Sequence, residues 1–297
     1  MADDLIQPRP ASERPALGFG TVMNAAFALP FRHLGAMSSV IIVYALLNAA
    51  AVWLLLDRFG DTSSDMSLPG GLDSLEPFGV FGEAAGYFVA VFIVDSLINA
   101  FALAALTTHY VSAAHSRSPA IATTLQMGVR RLPQVFLVVL ICSTLFVFAV
   151  ASIPLILWST LPSALILLSL VVIAQIVVFF AVSVPVAAVE GRLLGAFTRS
   201  VYLTRGYRFS LLWFHIVFFL LFMVITAVIS LVALAPLALV GGDGISSFTT
   251  IAFASNLLEG VVTGVTYAIV AGFSSALYLR LREIKEGGTG GLETVFE

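Results

Sequence analysis

Charged side chains are scarce in this sequence, and their scarcity excludes several classes of soluble protein. Asp, Glu, Lys and Arg make up 10% of the 297 residues, whereas a typical soluble domain is about 25% charged. Hydrophobic residues make up 60%, and a soluble fold of this size could not bury so much apolar surface. The composition excludes an ordinary cytosolic enzyme, a nucleic-acid-binding protein and a disordered chain. It predicts an all-α integral membrane protein.

Motifs that carry chemistry are missing as well. The sequence has no GxxxxGK[ST] phosphate loop, no HExxH zinc helix and no GxSxG nucleophile elbow. Its one cysteine, Cys142, excludes an intramolecular disulfide. The net charge of −3 provides no basic field for nucleic acid. The sequence therefore predicts no catalytic residue, no metal site, no cofactor and no nucleic-acid partner.

Long apolar runs predict six transmembrane helices, since about 20 mostly apolar residues are needed to cross a bilayer. The predicted spans are 34–56, 84–110, 134–158, 164–188, 209–239 and 250–279. An irregular outer loop is expected at 57–83. The spans form one membrane domain over 17–286, with a disordered cytoplasmic tail at 1–16 and a flexible cytoplasmic tail at 287–297.

Basic residues are distributed unequally across the predicted membrane. Every Lys and Arg except Arg58 falls on the side that holds both termini. The positive-inside rule therefore predicts that both termini of this multi-pass protein are cytoplasmic.

The predicted spans follow a threefold pattern. Each pair of spans is preceded by an amphipathic segment with a basic cluster, and the units cover about 17–115, 116–190 and 191–286. Because each unit contains two spans, the three units are parallel repeats.

The amphipathic segments are expected at the inner membrane surface. The third, at 191–208, can lie in the headgroup plane with its apolar side toward the bilayer. The arginines of these segments either contact anionic lipid or a protein partner, or serve only to set the topology. The candidate contact residues are Arg32, Arg130, Arg131, Arg192, Arg199, Arg205 and Arg208.

Several polar side chains fall inside the predicted spans. A charged acid at this depth costs at least about 2.5 kcal/mol unless it is paired, protonated or hydrated. One interpretation is a hydrated cavity in which Asp95 and Glu259 bind a proton or a cation. The other is that both acids are protonated and form hydrogen bonds between helices. The candidate residues are Asp95, Asn99, Gln175, His215, Asn256 and Glu259.

The last span carries small residues at four-residue steps. They are Gly260, Gly264, Ala268 and Gly272. Such a stripe permits close helix approach, so it indicates either packing within the chain or the interface of a homo-oligomer.

Four stretches near the end of the sequence share a family pattern. They are PVAAVEG at 185–191, AFTRS at 196–200, LTRGYR at 203–208 and YLRLREIKEG at 278–287, and LETVF at 292–296 fits with them. In these stretches the chain resembles the membrane domain found N-terminal to some glycerophosphoryl diester phosphodiesterases, and its stand-alone relatives. Before residue 185 the likeness is one of hydropathy pattern. The resemblance implies a prokaryotic plasma (inner) membrane protein, and no phosphodiesterase activity is expected without the separate catalytic barrel.

Two functions remain open at this stage. The first is a non-enzymatic scaffold or helper for an envelope- or lipid-related process. The second is a small transporter or permease with a polar pathway at Asp95, Asn99 and Glu259. A membrane-embedded enzyme would need an acid or histidine cluster that the sequence does not assemble.

Overall fold

A computed structural model shows how the chain folds. It describes residues 17–64, 77–115, 118–158, 173–175, 178, 181–193, 195–240 and 248–286. The regular structure in these residues is entirely helical, as predicted. The helices are α1 (Phe19–Arg32), α2 (Leu34–Ser64), α3 (Pro77–Ala114), α4 (Ile121–Trp158), α5 (Ser183–Glu190), α6 (Gly195–Thr204), α7 (Arg208–Val240) and α8 (Phe248–Glu286).

Five helices in the described part of the chain are long and apolar enough to cross a membrane. Their apolar stretches are Leu34–Leu55, Gly86–Ala114, Ile121–Phe148, Arg208–Leu231 and Ser255–Glu286. The chain is therefore a multi-pass membrane protein. Most of the predicted span at 164–188, and both predicted tails, lie outside the described residues. The described end of that span is α5, which follows a turn at 181–182 and carries Pro185 in its first turn, where proline removes no helical hydrogen bond.

Some helix boundaries differ from the prediction. The loop expected at 57–83 is wrong at both ends, because α2 continues to Ser64 and α3 begins at Pro77. The second amphipathic segment and its span form one helix, α4, which passes through Pro133. The first and third segments are separate helices. A turn at His33 ends α1, and a turn at 205–207 ends α6, where Gly206 has a φ of 93°.

The membrane helices divide into central and peripheral ones. In the most apolar 18 residues of each helix, 56% of the residues of α3 and 61% of those of α8 are buried. The corresponding shares are 28% for α2, 17% for α4 and 11% for α7. The central helices α3 and α8 contact each other, and both contact α2 and α5. Peripheral helices expose large apolar side chains such as Leu46, Phe148 and Leu231. In a bilayer these side chains contact acyl chains, which are as apolar as the protein interior.

The small-residue stripe of α8 lies against α2. A Cβ atom added to Gly260 would come within 2.9 Å of the Ala45 Cα, and one added to Gly264 within 3.2 Å of the Ile41 Cγ2. Ala268 is fully buried. The absence of side chains at the two glycines thus lets the backbones of α8 and α2 approach closely.

α1 packs against the same stripe further along α8, at Gly272. A Cβ atom added to Gly272 would collide with the Ala26 carbonyl oxygen and come within 3.1 Å of the Pro30 ring. The apolar face of α1, including Val22 and Leu29, is buried. This amphipathic helix therefore packs its apolar face on the protein.

Candidate functional site

One end of the bundle gathers all the described basic residues except Arg58, and we call it the basic end. The His33 ring lies 5.0 Å from the His109 ring, and Lys285 Nζ donates to the Arg205 carbonyl at 3.0 Å. These contacts join the start of α2 to the end of α3, and the end of α8 to the turn after α6. The basic residues at this end are Arg32, Arg130, Arg131, Arg192, Arg199, Arg205, Arg208, Arg280, Arg282 and Lys285.

Arg199 is the centre of an ion network at the basic end. Its Nε lies 3.3 Å from Glu190 Oε1, and its Nη2 pairs with Glu286. Tyr278 donates to Glu190 at 3.1 Å, and Arg282 pairs with Glu286 at 3.0 Å. Partial burial acts to lower the pKa of Arg199, but the two carboxylates outweigh it and the pKa is raised. Arg199 thus ties α6 to α5 and α8.

The position of α6 on the bundle brings Arg199 to these partners. Its buried residues Ala196, Ser200 and Leu203 follow helical spacing and face the protein, where α6 contacts α5 and α8. The helix is therefore packed on the bundle at the basic end. A local amphipathic pattern fits this position as well as it fits the headgroup plane.

The remaining predicted contact residues are placed differently. Arg32, Arg130, Arg192, Arg205 and Arg208 are exposed. Arg131 is half-buried. Together with Arg130 and Arg282, it lines a cavity between the ends of α3, α4, α5 and α8.

Exposed apolar side chains adjoin four of these exposed arginines in the sequence. Phe31 is 61% exposed, Val129 61%, Leu193 36% and Phe209 86%. The pairs are Phe31–Arg32, Val129–Arg130, Arg192–Leu193 and Arg208–Phe209. Each pair offers an apolar group for acyl chains and a guanidinium for headgroups at nearly the same level.

A second polar site lies deep in the bundle, between α2, α3 and α8. Tyr44 donates to Asn99 Oδ1 at 2.8 Å, and Asn99 Nδ2 donates to Asp95 Oδ2 at 2.8 Å. The Tyr267 ring of α8 lies 5.7 Å from the Tyr44 ring. Tyr44 is 1% and Asn99 6% exposed, whereas Asp95 is exposed. A line of hydrogen bonds therefore runs from a surface acid into the core, and we call these residues the central polar cluster.

The other predicted deep polar residues join this cluster only in part. Glu259 is exposed on α8, about two turns before Tyr267. Asn256 is half-buried one turn before Glu259. Gln175 is exposed, and His215 lies apart on α7, with its ring edge 5.1 Å from Phe273.

Sequence reasoning missed several residues of both sites. Tyr44 links Asp95 and Asn99 to α2, and a tyrosine at mid-span was the available signal. Glu190 binds Arg199, and an acid among the basic clusters could have indicated it. His33 and His109 come together although 76 positions separate them by number (109 − 33). Among the described residues, no group of three or more His, Cys, Asp or Glu side chains is arranged to hold a metal ion.

No family model, no curated protein and no solved structure matches the chain.

Proposed function

We propose that the chain is a non-enzymatic membrane protein that engages anionic lipid through its basic end, as a scaffold or helper in an envelope- or lipid-related process. The observation that carries the proposal is the pairing of exposed arginines with exposed apolar neighbours at that end. Phe209, next to Arg208 at the start of α7, is the most exposed of these apolar side chains. Each basic residue near an anionic membrane surface contributes about 1 kcal/mol to the attraction. Several together would give the protein a marked preference for anionic lipid.

We also propose six spans in three parallel repeats, over about 17–115, 116–190 and 191–286. The division of the bundle supports this arrangement. The second helix of the first and third units, α3 and α8, is central, and α5 of the second unit contacts both. The first helices, α2, α4 and α7, are peripheral. A repeat related by an axis along the membrane normal would produce this division.

The proposed location is a prokaryotic plasma (inner) membrane, with both termini in the cytoplasm. The gathering of basic residues at one end of the bundle supports this orientation through the positive-inside rule. The resemblance to the membrane domain of glycerophosphoryl diester phosphodiesterases supports the choice of membrane. The partner protein of such a scaffold is left open, as is self-association.

Lipid enrichment around the protein tests the lipid-binding proposal. The full chain is reconstituted into mixed phosphatidylglycerol–phosphatidylcholine bilayers at low salt, and the lipid extracted with it in polymer discs is quantified. We expect phosphatidylglycerol to be enriched over the bulk bilayer. The double variant Arg192→Glu, Arg208→Glu should lose that enrichment, and the matched variant Arg192→Lys, Arg208→Lys should keep it. Absence of enrichment around the unaltered chain would contradict the proposal.

The central polar cluster favours a second candidate, a small transporter or permease with a pathway at Asp95, Asn99 and Glu259. An exposed carboxylate at mid-span is costly against lipid and stable in a hydrated pathway. In a Cys142→Ser background, Asp95→Cys and Glu259→Cys are treated with a membrane-impermeant thiol reagent. Reaction at either position supports a pathway. The control Leu97→Cys, at an exposed apolar position of the helix that carries Asp95, should stay unreacted. Protection of both acid positions would contradict a pathway.

A further inference from the structure

A cavity of about 350 Å³ lies at the basic end, between the ends of α3, α4, α5 and α8. Arg130 and Arg131 of α4 and Arg282 of α8 form one side of it, with Ser112 and His115 at the end of α3. Guanidinium and hydroxyl groups are donors that bind phosphate oxygens, and arginine is suited to phosphate because of its planar fork. The polar lining therefore matches an anion with several acceptor oxygens.

The positive charge of this lining is only partly balanced by the described residues. None of their carboxylates pairs with Arg130 or Arg131. Arg282 shares Glu286 with Arg199. Like charges held close together in a partly buried space repel each other, and a bound anion would relieve that repulsion.

The Arg131 guanidinium lies against the backbone at the end of α5. Gly191, which ends α5, has a φ of 68°. A Cβ atom at this position would collide with the Arg131 guanidinium, so glycine leaves the room that the guanidinium occupies. The C-terminus of a helix also carries partial negative charge, which favours a cation there. One arginine of the cavity thus lies beside the C-terminus of α5.

The other side of the cavity is apolar and consists of Val111, Met127 and Val189. A free phosphate ion gains nothing from such a wall, whereas a phospholipid carries its glycerol and acyl chains next to its phosphate. We infer that the cavity binds the phosphate group of one anionic phospholipid, with the Arg130, Arg131 and Arg282 guanidiniums as donors. The inference rests on the proposed function and names its site.

Native mass spectrometry of the purified full chain tests this inference. The chain is equilibrated with phosphatidylglycerol or phosphatidylcholine in detergent at about 1 M salt, where screening removes diffuse surface attraction. We expect one retained phosphatidylglycerol per chain and no retained phosphatidylcholine. Arg130→Gln and Arg131→Gln should each lower this occupancy about fivefold or more. The matched variant Arg280→Gln, at an arginine that pairs with Glu283 and lies outside the cavity, should leave it unchanged.

The outcomes separate the inference from the proposed function. If the cavity variants retain as much lipid as Arg280→Gln, the inference is wrong, even where low-salt enrichment of phosphatidylglycerol supports the proposed function. If excess inorganic phosphate displaces the lipid and raises the melting temperature as much as phosphatidylglycerol does, the site takes free phosphate and the lipid assignment is overturned. Melting temperatures show whether each variant is folded, and Arg131→Lys, which keeps the charge and loses the fork, provides a milder variant with an intermediate expected loss.

Discussion

Replacing Gly272 with alanine is expected to destabilise the protein, because the new methyl group would separate α1 from α8. The added Cβ would collide with the Ala26 carbonyl oxygen and come within 3.1 Å of two carbon atoms of the Pro30 ring. Ala26 and Pro30 are both buried in α1. A backbone oxygen and a proline ring cannot rotate away as a flexible side chain can, so the helices themselves must move.

The expected loss follows from two opposing effects. Overpacking of a well-packed interior costs about 1–3 kcal/mol. Alanine in place of glycine within a helix returns up to about 1 kcal/mol. Because the contact is with backbone atoms, the cost lies in the upper part of its range, and a net loss of about 1–2 kcal/mol is expected.

Denaturant titration of the purified protein measures this loss. Gly20→Ala in α1 is the matched control, because no heavy atom lies within 4 Å of a Cβ added there. It should be at least as stable as the unaltered chain. Equal unfolding midpoints for Gly272→Ala and Gly20→Ala would show that α1 does not pack against α8 as described, and would refute the reasoning.

Two further predictions concern buried hydrogen bonding and pH. Tyr44→Phe removes the hydroxyl that donates to Asn99 at 2.8 Å and should lower the free energy of unfolding by about 1 kcal/mol. Tyr110→Phe should leave the free energy of unfolding unchanged, because that buried hydroxyl has no partner among the described residues. Equal losses in denaturant titrations would contradict this. Burial, with Arg32 adding to it, lowers the pKa of His33 from 6.5, so the folded state binds fewer protons than the unfolded state just below that pH. Stability is then full above about pH 6.5 and decreases as the pH falls below it. His33→Gln should reduce the difference in melting temperature between about pH 7.5 and about pH 5.5. An unchanged difference would show that His33 is not the source of this pH dependence.

Local pattern predicted much of the secondary structure. Predicted spans at 209–239 and 250–279 correspond to α7 (Arg208–Val240) and α8 (Phe248–Glu286). Hydropathy works here because, in lipid, each segment must satisfy its backbone hydrogen bonds within itself, so an apolar run of sufficient length forms a helix. The ends of the helices were predicted less accurately, because polar extensions such as that of α2 to Ser64 continue beyond the apolar run.

The two candidate sites depended on distant parts of the chain. The sequence identified Arg199 as basic and on a helix, but its partner Glu286 lies 87 positions away. Asn99 and Asp95 are one turn apart and were recognised together, whereas Tyr44, 55 positions from Asn99, was not. Spacing along one helix shows which residues share a face, but it does not show which other helix that face meets.

Composition and the length of the apolar runs were enough to identify a helical membrane protein, because both are properties of the chain alone. They did not determine which helices are central. The apolar stretches of α2 and α3 have nearly equal mean hydropathy, 2.0 and 2.2, yet 28% of one and 56% of the other is buried. Acyl chains and a protein interior are equally apolar, so the hydrophobicity of a span does not distinguish a lipid-facing helix from a buried one. Only the tertiary structure, through the close approach of α8 to α1 and α2 at its glycines, decided which helices form the core.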